Sequence, residues 1–231
     1  IHRYLILINE QKQHCSAGRR VQLAFLEAAL KKISCKGADC LYEALQLYLL
    51  LWMVMCLEQA PNPYAFSVGN ADRIFEPYRN DLTREEASEL FRHFLVFYNV
   101  GDRSWAISQN VLLGGRDLDG NDLSNTMTYA IMDAYYDMNL PQPILSVKLH
   151  HNTPQEIYEE MGKFFFSPGV LTPSLFNDDA LFEVLKKNHV ELQDIPDCSI
   201  AGCQEPLIMG KDNGNTTNSW LNLPKVLEMV L

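Results

Sequence analysis

Ile144-Leu145-Ser146-Val147-Lys148-Leu149, then Thr153-Pro154-Gln155-Glu156, then Leu171-Thr172-Pro173-Ser174-Leu175-Phe176: this succession governs what kind of fold the chain can adopt. The first run is short and apolar, bounded by turn residues, and predicts a strand. The second supplies a cap at Thr153, a first-turn proline at Pro154 and a box partner at Glu156, so a helix should run to Phe166. The third predicts another strand, after which Asn177-Asp178 caps a helix to about Asn188. Upstream, the apolar run 107–113 ends at Gly114-Gly115 and precedes a helix expected over 121–136. Downstream, 199–201 leads into Gly202-Cys203, and a last helix is expected to begin near Trp220. Strand, helix and strand alternating at this spacing predict a parallel sheet with right-handed crossovers. In such sheets ligands gather where loops leave the carboxyl ends of strands. Cys203 is expected in one of those loops.

The first half has a different texture. Residues 19–33 place Val21, Leu23, Phe25, Leu26, Ala29 and Leu30 near a 3.6-residue period. Thr83-Arg84-Glu85-Glu86 is a capping box that should open a helix to about Phe97. The most apolar stretch, 44–57, has fourteen residues. A bilayer span needs roughly 20, so a buried core helix over 41–57 is expected and no membrane contact.

With 231 residues, 47% of them hydrophobic, the chain can enclose a sizeable core. The formal net charge is −10, and basic residues occur only as short groups such as Arg19-Arg20 and Lys31-Lys32. Nucleic acid is therefore not an expected partner, and the acidity reads as solubility. No basic, apolar and small-residue succession opens the chain, and six cysteines are scattered through it, which suits a reducing, cytoplasmic compartment. The chain starts without methionine and stops at Val230-Leu231 in helix-like sequence, as expected of an internal piece of a longer protein.

Ala201-Gly202-Cys203-Gln204-Glu205-Pro206 carries the chemistry. In an extended loop, residues two apart point to one side, so the thiol of Cys203 and the carboxylate of Glu205 would face one cavity. Gly202 permits a left-handed backbone, and Pro206 stiffens the exit. Spacing alone leaves open both a catalytic pair and a buried cysteine near a surface glutamate.

Gly202-Cys203-Gln204-Glu205-Pro206 resembles the Gly-Cys-x-Glu-Pro loop of glycyl radical enzymes of the dehydratase, lyase and decarboxylase type. The likeness extends to further segments in order. They are Tyr42-Glu43-Ala44-Leu45-Gln46, Leu113-Gly114-Gly115-Arg116-Asp117-Leu118-Asp119-Gly120, Pro141-Gln142-Pro143-Ile144-Leu145-Ser146-Val147, Phe176-Asn177-Asp178 and Asn222-Leu223-Pro224-Lys225-Val226-Leu227-Glu228. It runs from about residue 38 to the end. What it implies is an α/β fold, part of a ten-stranded barrel of two parallel half-sheets with surrounding helices and the cysteine loop inside. The whole chain, 1–231, would be a partial pyruvate formate-lyase-like domain, mainly helical over 1–100 and α/β over 101–231, with the loop at 202–206. Cys203 would be the radical carrier and Glu205 the general base, giving dehydratase-like elimination across C–O, C–N or C–S bonds. Sulfur can hold an unpaired electron, and a carboxylate sheltered from water can serve as a base. Decarboxylation of an aryl-acetate-like acid is the enzymatic alternative, and a non-catalytic fragment or binding module is the other.

The resemblance also implies a glycyl radical on a C-terminal segment that these residues do not include, so the chain alone is expected to be inactive. It implies a small-molecule substrate, a radical-SAM activating enzyme and a homodimer, with no bound cofactor or metal in this segment. Two departures from the family pattern stand out. Lys148 occupies a position where the family usually has arginine, and Ser67-Val68-Gly69-Asn70-Ala71-Asp72 replaces Ser-x-Gly-Arg-Phe-Asp. The second cysteine beside the first, found in pyruvate formate-lyase itself, is missing, which argues against an acyl-accepting relay.

Other signals carry less. Asp117-Leu118-Asp119-Gly120-Asn121-Asp122 has its glycine too early for an EF-hand loop, and Thr128 stands where the closing glutamate should be. Met209-Gly210-Lys211-Asp212 lacks the earlier glycine of a phosphate loop and is expected to be a surface turn. His150-His151 point to opposite faces if in a strand, and Cys35/Cys40 and Cys198/Cys203 are spaced too widely for typical zinc pairs. Asn215-Thr216-Thr217 fits a glycosylation pattern but is expected to be a polar turn.

Overall fold

In the computed structural model, residues 1–58, 66–100, 109–212 and 222–230 are described. The start of the run at 107–108, Trp220 and the Asn215-Thr216-Thr217 turn lie outside them. Helices α1 (His2–Gln13), α2 (Ala17–Ile33) and α3 (Leu41–Glu58) come first. Then follow β1 (Gly69–Asn70), α4 (Ala71–Arg79), α5 (Arg84–Val100), β2 (Asn110–Gly114), α6 (Thr126–Met138), β3 (Ile144–Leu149), α7 (Gln155–Phe166), β4 (Ser174–Asn177) and α8 (Asp178–Lys187). A 3-10 turn over Leu192–Asp197 leads to β5 (Cys198–Ala201) and β6 (Glu205–Ile208), and α9 covers Leu223–Val230.

Four strands pair in parallel in the order β1-β2-β3-β4. The register aligns Asn70, Leu112, Ser146 and Ser174 in one row and Gly114, Lys148 and Phe176 in the next. Because side chains alternate along a strand, the two faces differ. Val111, Leu113, Leu145 and Val147 enter the main core, with Phe75 of α4, Phe91 and Phe94 of α5, and Met127 and Ile131 of α6. The other face presents Asn110, Leu112, Ser146 and Lys148, all buried. β1 falls in the half expected to be mainly helical, yet it belongs to the sheet.

The capping box at Thr83 forms as expected: Glu86 N donates to Thr83 Oγ1 (3.2 Å), and Thr83 N donates to Glu86 Oε2 (2.9 Å). Two helix starts differ from expectation. α6 begins at Thr126, not near Asn121, because Asp122 accepts from Ser124 N in a turn and Asn125 forms the capping box with Thr128. α7 begins at Gln155 without a side-chain cap, because Thr153 Oγ1 is occupied by His150 N (2.8 Å). The apolar helix α3 is long and apolar enough to cross a membrane by composition, but it buries the stripe Leu41, Leu45, Leu49 and Trp52. Leu51, Val54 and Leu57 of the same helix are exposed, so it is a core helix on one face only.

Asp72 ties these layers together. Its Oδ2 accepts from Gly114 N (2.7 Å) at the end of β2 and from Thr128 Oγ1 (2.7 Å) on α6. The residue is fully buried, and that burial raises its pKa against the pull of these donors. Removing the carboxylate leaves buried donors unpaired, each at a cost of roughly 1–3 kcal/mol. Asp72→Ala should therefore lower unfolding free energy by about 3 kcal/mol, read from the midpoint of urea denaturation at unchanged slope.

Candidate active site

Cys203 sits at the tip of a hairpin. β5 and β6 are antiparallel, with Cys198 opposite Ile208 and Ala201 opposite Glu205. Gly202, Cys203 and Gln204 close the turn, and Gln204 N donates to Ala201 O (3.0 Å). The extended loop expected from sequence is thus replaced by a tight reversal. Its backbone needs φ of +52° at Gly202 and +84° at Gln204. Glycine adopts the first without cost; the second is unusual for a residue with a Cβ. Gln204 is held there by its side chain, whose Nε2 donates to Ser174 Oγ (2.8 Å).

Two-residue alternation does not hold through such a turn, so the sequence argument for a shared facing of thiol and carboxylate fails. Cys203 is exposed at the apex, while Glu205, the first residue of β6, is half-buried. Glu205 Oε2 is enclosed and has no hydrogen-bond partner among the described residues.

The hairpin lies along the polar face of the sheet. At its tip, Gly202 N donates to Ser67 Oγ (3.2 Å), which also accepts from Asn110 N (2.9 Å) at the start of β2. At its root, the Cys198 carbonyl accepts from Lys148 Nζ (3.1 Å), one residue from the end of β3. A four-residue strand spans about 13 Å, enough to carry the tip from the carboxyl ends of the parallel strands to their amino ends. Cys203 is therefore not in a loop leaving the carboxyl ends, as the sequence suggested. Met209, just beyond β6, rests its Sδ against Asn70 N (3.4 Å).

Ser67, Ser174, Lys148 and Met209 were not singled out as holding this site. Ser67 and Lys148 stand in segments that depart from the family pattern, which was the signal available. Lys148 has a fully enclosed side chain, with Asp178 Oδ1 at 3.5 Å. Burial lowers its pKa, and Asp178 opposes that shift. Burial also pushes the Cys198 thiol up to about 11, with Lys148 opposing.

The two histidines diverge onto separate carboxylates. His150 Nε2 lies 2.9 Å from Asp122 Oδ1, and His151 Nδ1 lies 3.1 Å from Asp179 Oδ2. They border a cleft of about 490 Å³ with Tyr158 and Phe176. Asp117 Oδ1 accepts from Asp119 N and Asn121 N (both 2.9 Å), so the acidic run forms a turn.

Because thiolate is the reacting species, the exposed apex thiol and the buried root thiol should part sharply. Timed iodoacetamide labelling at pH 8 with peptide mass mapping should modify Cys203 at least about tenfold faster than Cys198. Equal rates would contradict the placement of the hairpin root.

The chain matches the family described as PFL-like, pyruvate formate lyase-like, over residues 1–231. It is 26% identical over 250 aligned positions to (2S)-3-sulfopropanediol dehydratase of Klebsiella oxytoca, covering 100% of this chain and 30% of that protein. The B12-independent glycerol dehydratase from Clostridium butyricum, solved with glycerol bound, superposes with a TM-score of 0.79 at 26% identity, covering 88% of this chain and 28% of that one. A glycyl radical enzyme from Archaeoglobus fulgidus superposes with a TM-score of 0.80 at 24% identity over 90% of this chain and 29% of that one, a likeness of fold. The chain thus spans about 30% of the length of the curated relative it matches along its whole length. Its fold is part of the barrel of these structural neighbours, and the chain belongs to the pyruvate formate lyase-like family of glycyl radical enzymes.

Proposed function

We propose that this chain is the segment of a glycyl radical lyase that carries the hydrogen-abstracting cysteine, Cys203, and its partner base, Glu205. The observation that carries this reading is the contrast at the hairpin tip. A thiol is exposed at a constrained apex, and two residues away a carboxylate oxygen is enclosed with no hydrogen-bond partner among the described residues. An exposed thiol at a constrained apex suits the radical chemistry of the family. A glycyl radical, when present, supplies the unpaired electron.

A thiyl radical at Cys203 takes a hydrogen atom from a carbon bearing a hydroxyl group, forming S–H and leaving a carbon radical. Glu205 accepts the hydroxyl proton, and the electron density released expels the substituent on the neighbouring carbon as an anion. The S–H of Cys203 then returns its hydrogen atom to the product radical. The sum is loss of HX from the substrate, with no net oxidation, and each of the two side chains serves one transfer. General-base assistance of this kind contributes about 10²–10⁴-fold.

The sheet face crossed by the hairpin favours elimination over decarboxylation of an aryl acid. Asn70, Asn110, Ser146 and Lys148 line it, with Phe176 the one aromatic among the described strand residues of that face. Both side-chain amide atoms of Asn110 and Ser146 Oγ are buried without partners among the described residues. Convergent hydrogen-bonding groups suit a small hydroxylated substrate, whereas an arene needs an aromatic wall.

The test is anaerobic activation of the full-length protein by a radical-SAM activating enzyme, then a screen of vicinal diols, amino alcohols, hydroxysulfonates and hydroxyarylacetates. Elimination from one of the first three is expected. Cys203→Ala should abolish it, and Glu205→Gln should lower kcat/KM by about 10²–10⁴-fold. Carbon dioxide release from the arylacetate, or turnover by the Cys203→Ala protein, would overturn the reading.

A further inference from the structure

We infer that Lys148 is a positioning residue: its buried amino group, clasping the Cys198 carbonyl, fixes the root of the hairpin and so the place of Cys203 and Glu205 at its tip. The inference rests on the reading of Cys203 and Glu205 given above only in what it makes of the tip.

Two donors converge on that carbonyl, and its surroundings are built to match. Lys148 Nζ donates to Cys198 O at 3.1 Å, and Asn70 Nδ2 approaches the same oxygen at 3.5 Å. Both side chains reach one acceptor. The flanking turn is held by neighbouring groups as well: Arg73 Nη2 donates to Pro196 O (2.8 Å). Finally, the backbone has been shaped around the lysine. Gly115 has φ of +99°, and a Cβ there would stand 2.6 Å from Lys148 Cε and 2.9 Å from Nζ.

The energetics point the same way. An amino group with no exposure is retained in a protein interior only where something holds it. Here Asp178 faces Lys148 from the start of α8, Asp72 and Arg73 from the start of α4, and the Cys198 thiol from β5. Asp178 is itself fixed through Oδ2, which accepts from Arg116 N (2.9 Å). Lys148 thus links three separately placed pieces: β3, the start of α8 and the start of β5. A hairpin of two four-residue strands has little stability of its own. Its root must be fixed from outside, and Lys148 is a buried donor in reach of it.

The role separates from general stability because it predicts a local effect. Hydrogen–deuterium exchange on the folded protein compares residues 198–208 with residues 110–114 and 144–147 of the same molecule. Lys148→Met should speed exchange over 198–208 at least tenfold while the two sheet strands change less than about threefold. Lys148→Arg, which keeps a buried donor, should restore protection. Gly115→Ala, which keeps the lysine in the sequence but crowds its Cε and Nζ out of position, should reproduce the Met pattern, and it carries the test if Lys148→Met does not fold. Uniform loss of protection, or for Gly115→Ala a change confined to 110–118, overturns the inference. In activated full-length protein, Lys148→Met should lower kcat more than it raises KM, and Lys148→Arg should recover it. If the parent protein turns over none of the substrates, the assignment of Cys203 and Glu205 fails, and the exchange result still decides the role of Lys148.

Discussion

A short hairpin cannot hold its own tip in place, and this constraint organises the second half of the molecule. Two strands of four residues bury too little to be stable alone. Cys203 stands at a defined point because the sheet beneath the hairpin supplies fixed polar groups along its length. Ser67 holds the backbone at Gly202, Ser174 holds the side chain of Gln204, and Lys148 holds the carbonyl of Cys198. The sheet therefore has to be rigid before the site can exist.

Rigidity comes from the opposite face. Val111, Leu113, Leu145 and Val147 pack into an aromatic-rich core where Phe75, Phe91, Phe94 and Tyr98 make edge and stacked contacts. Burying side chains of this size stabilises by about 1.5–3 kcal/mol each. The polar face contributes little of that and includes groups that cost energy, such as the enclosed Lys148 and the Asn110 side chain, which has no hydrogen-bond partner among the described residues. One face stabilises the sheet, and the other spends part of that stability on holding the hairpin. The positive φ at Gln204 adds backbone strain at the hairpin tip.

Local signals were read well where a single interaction decides the outcome. The Thr83–Glu86 box, the Asn177 cap and the bounds of β3 were all visible, because each depends on residues within one turn or one apolar run. Where two partners compete for one group, local reading failed. Thr153 could cap α7, but its hydroxyl goes to His150 N, and the acidic turn at Asp122 delays α6 until Asn125. The same limit applied at Cys203. Whether Gly202 sits in an extended loop or reverses the chain depends on the neighbouring strand, which the pentapeptide does not contain.

The sequence by itself determined the parallel α/β architecture and the family, because periodicity, caps and an ordered set of motifs are properties of neighbours along the chain. Only the tertiary structure decided that the cysteine loop is a hairpin, that it runs under the sheet with its tip at the amino ends of the strands, and that Lys148 and Ser67 grip it there. Those contacts join residues 50 and 135 positions apart. Their formation depends on the strand register that brings distant segments to one face, and no local pattern records it.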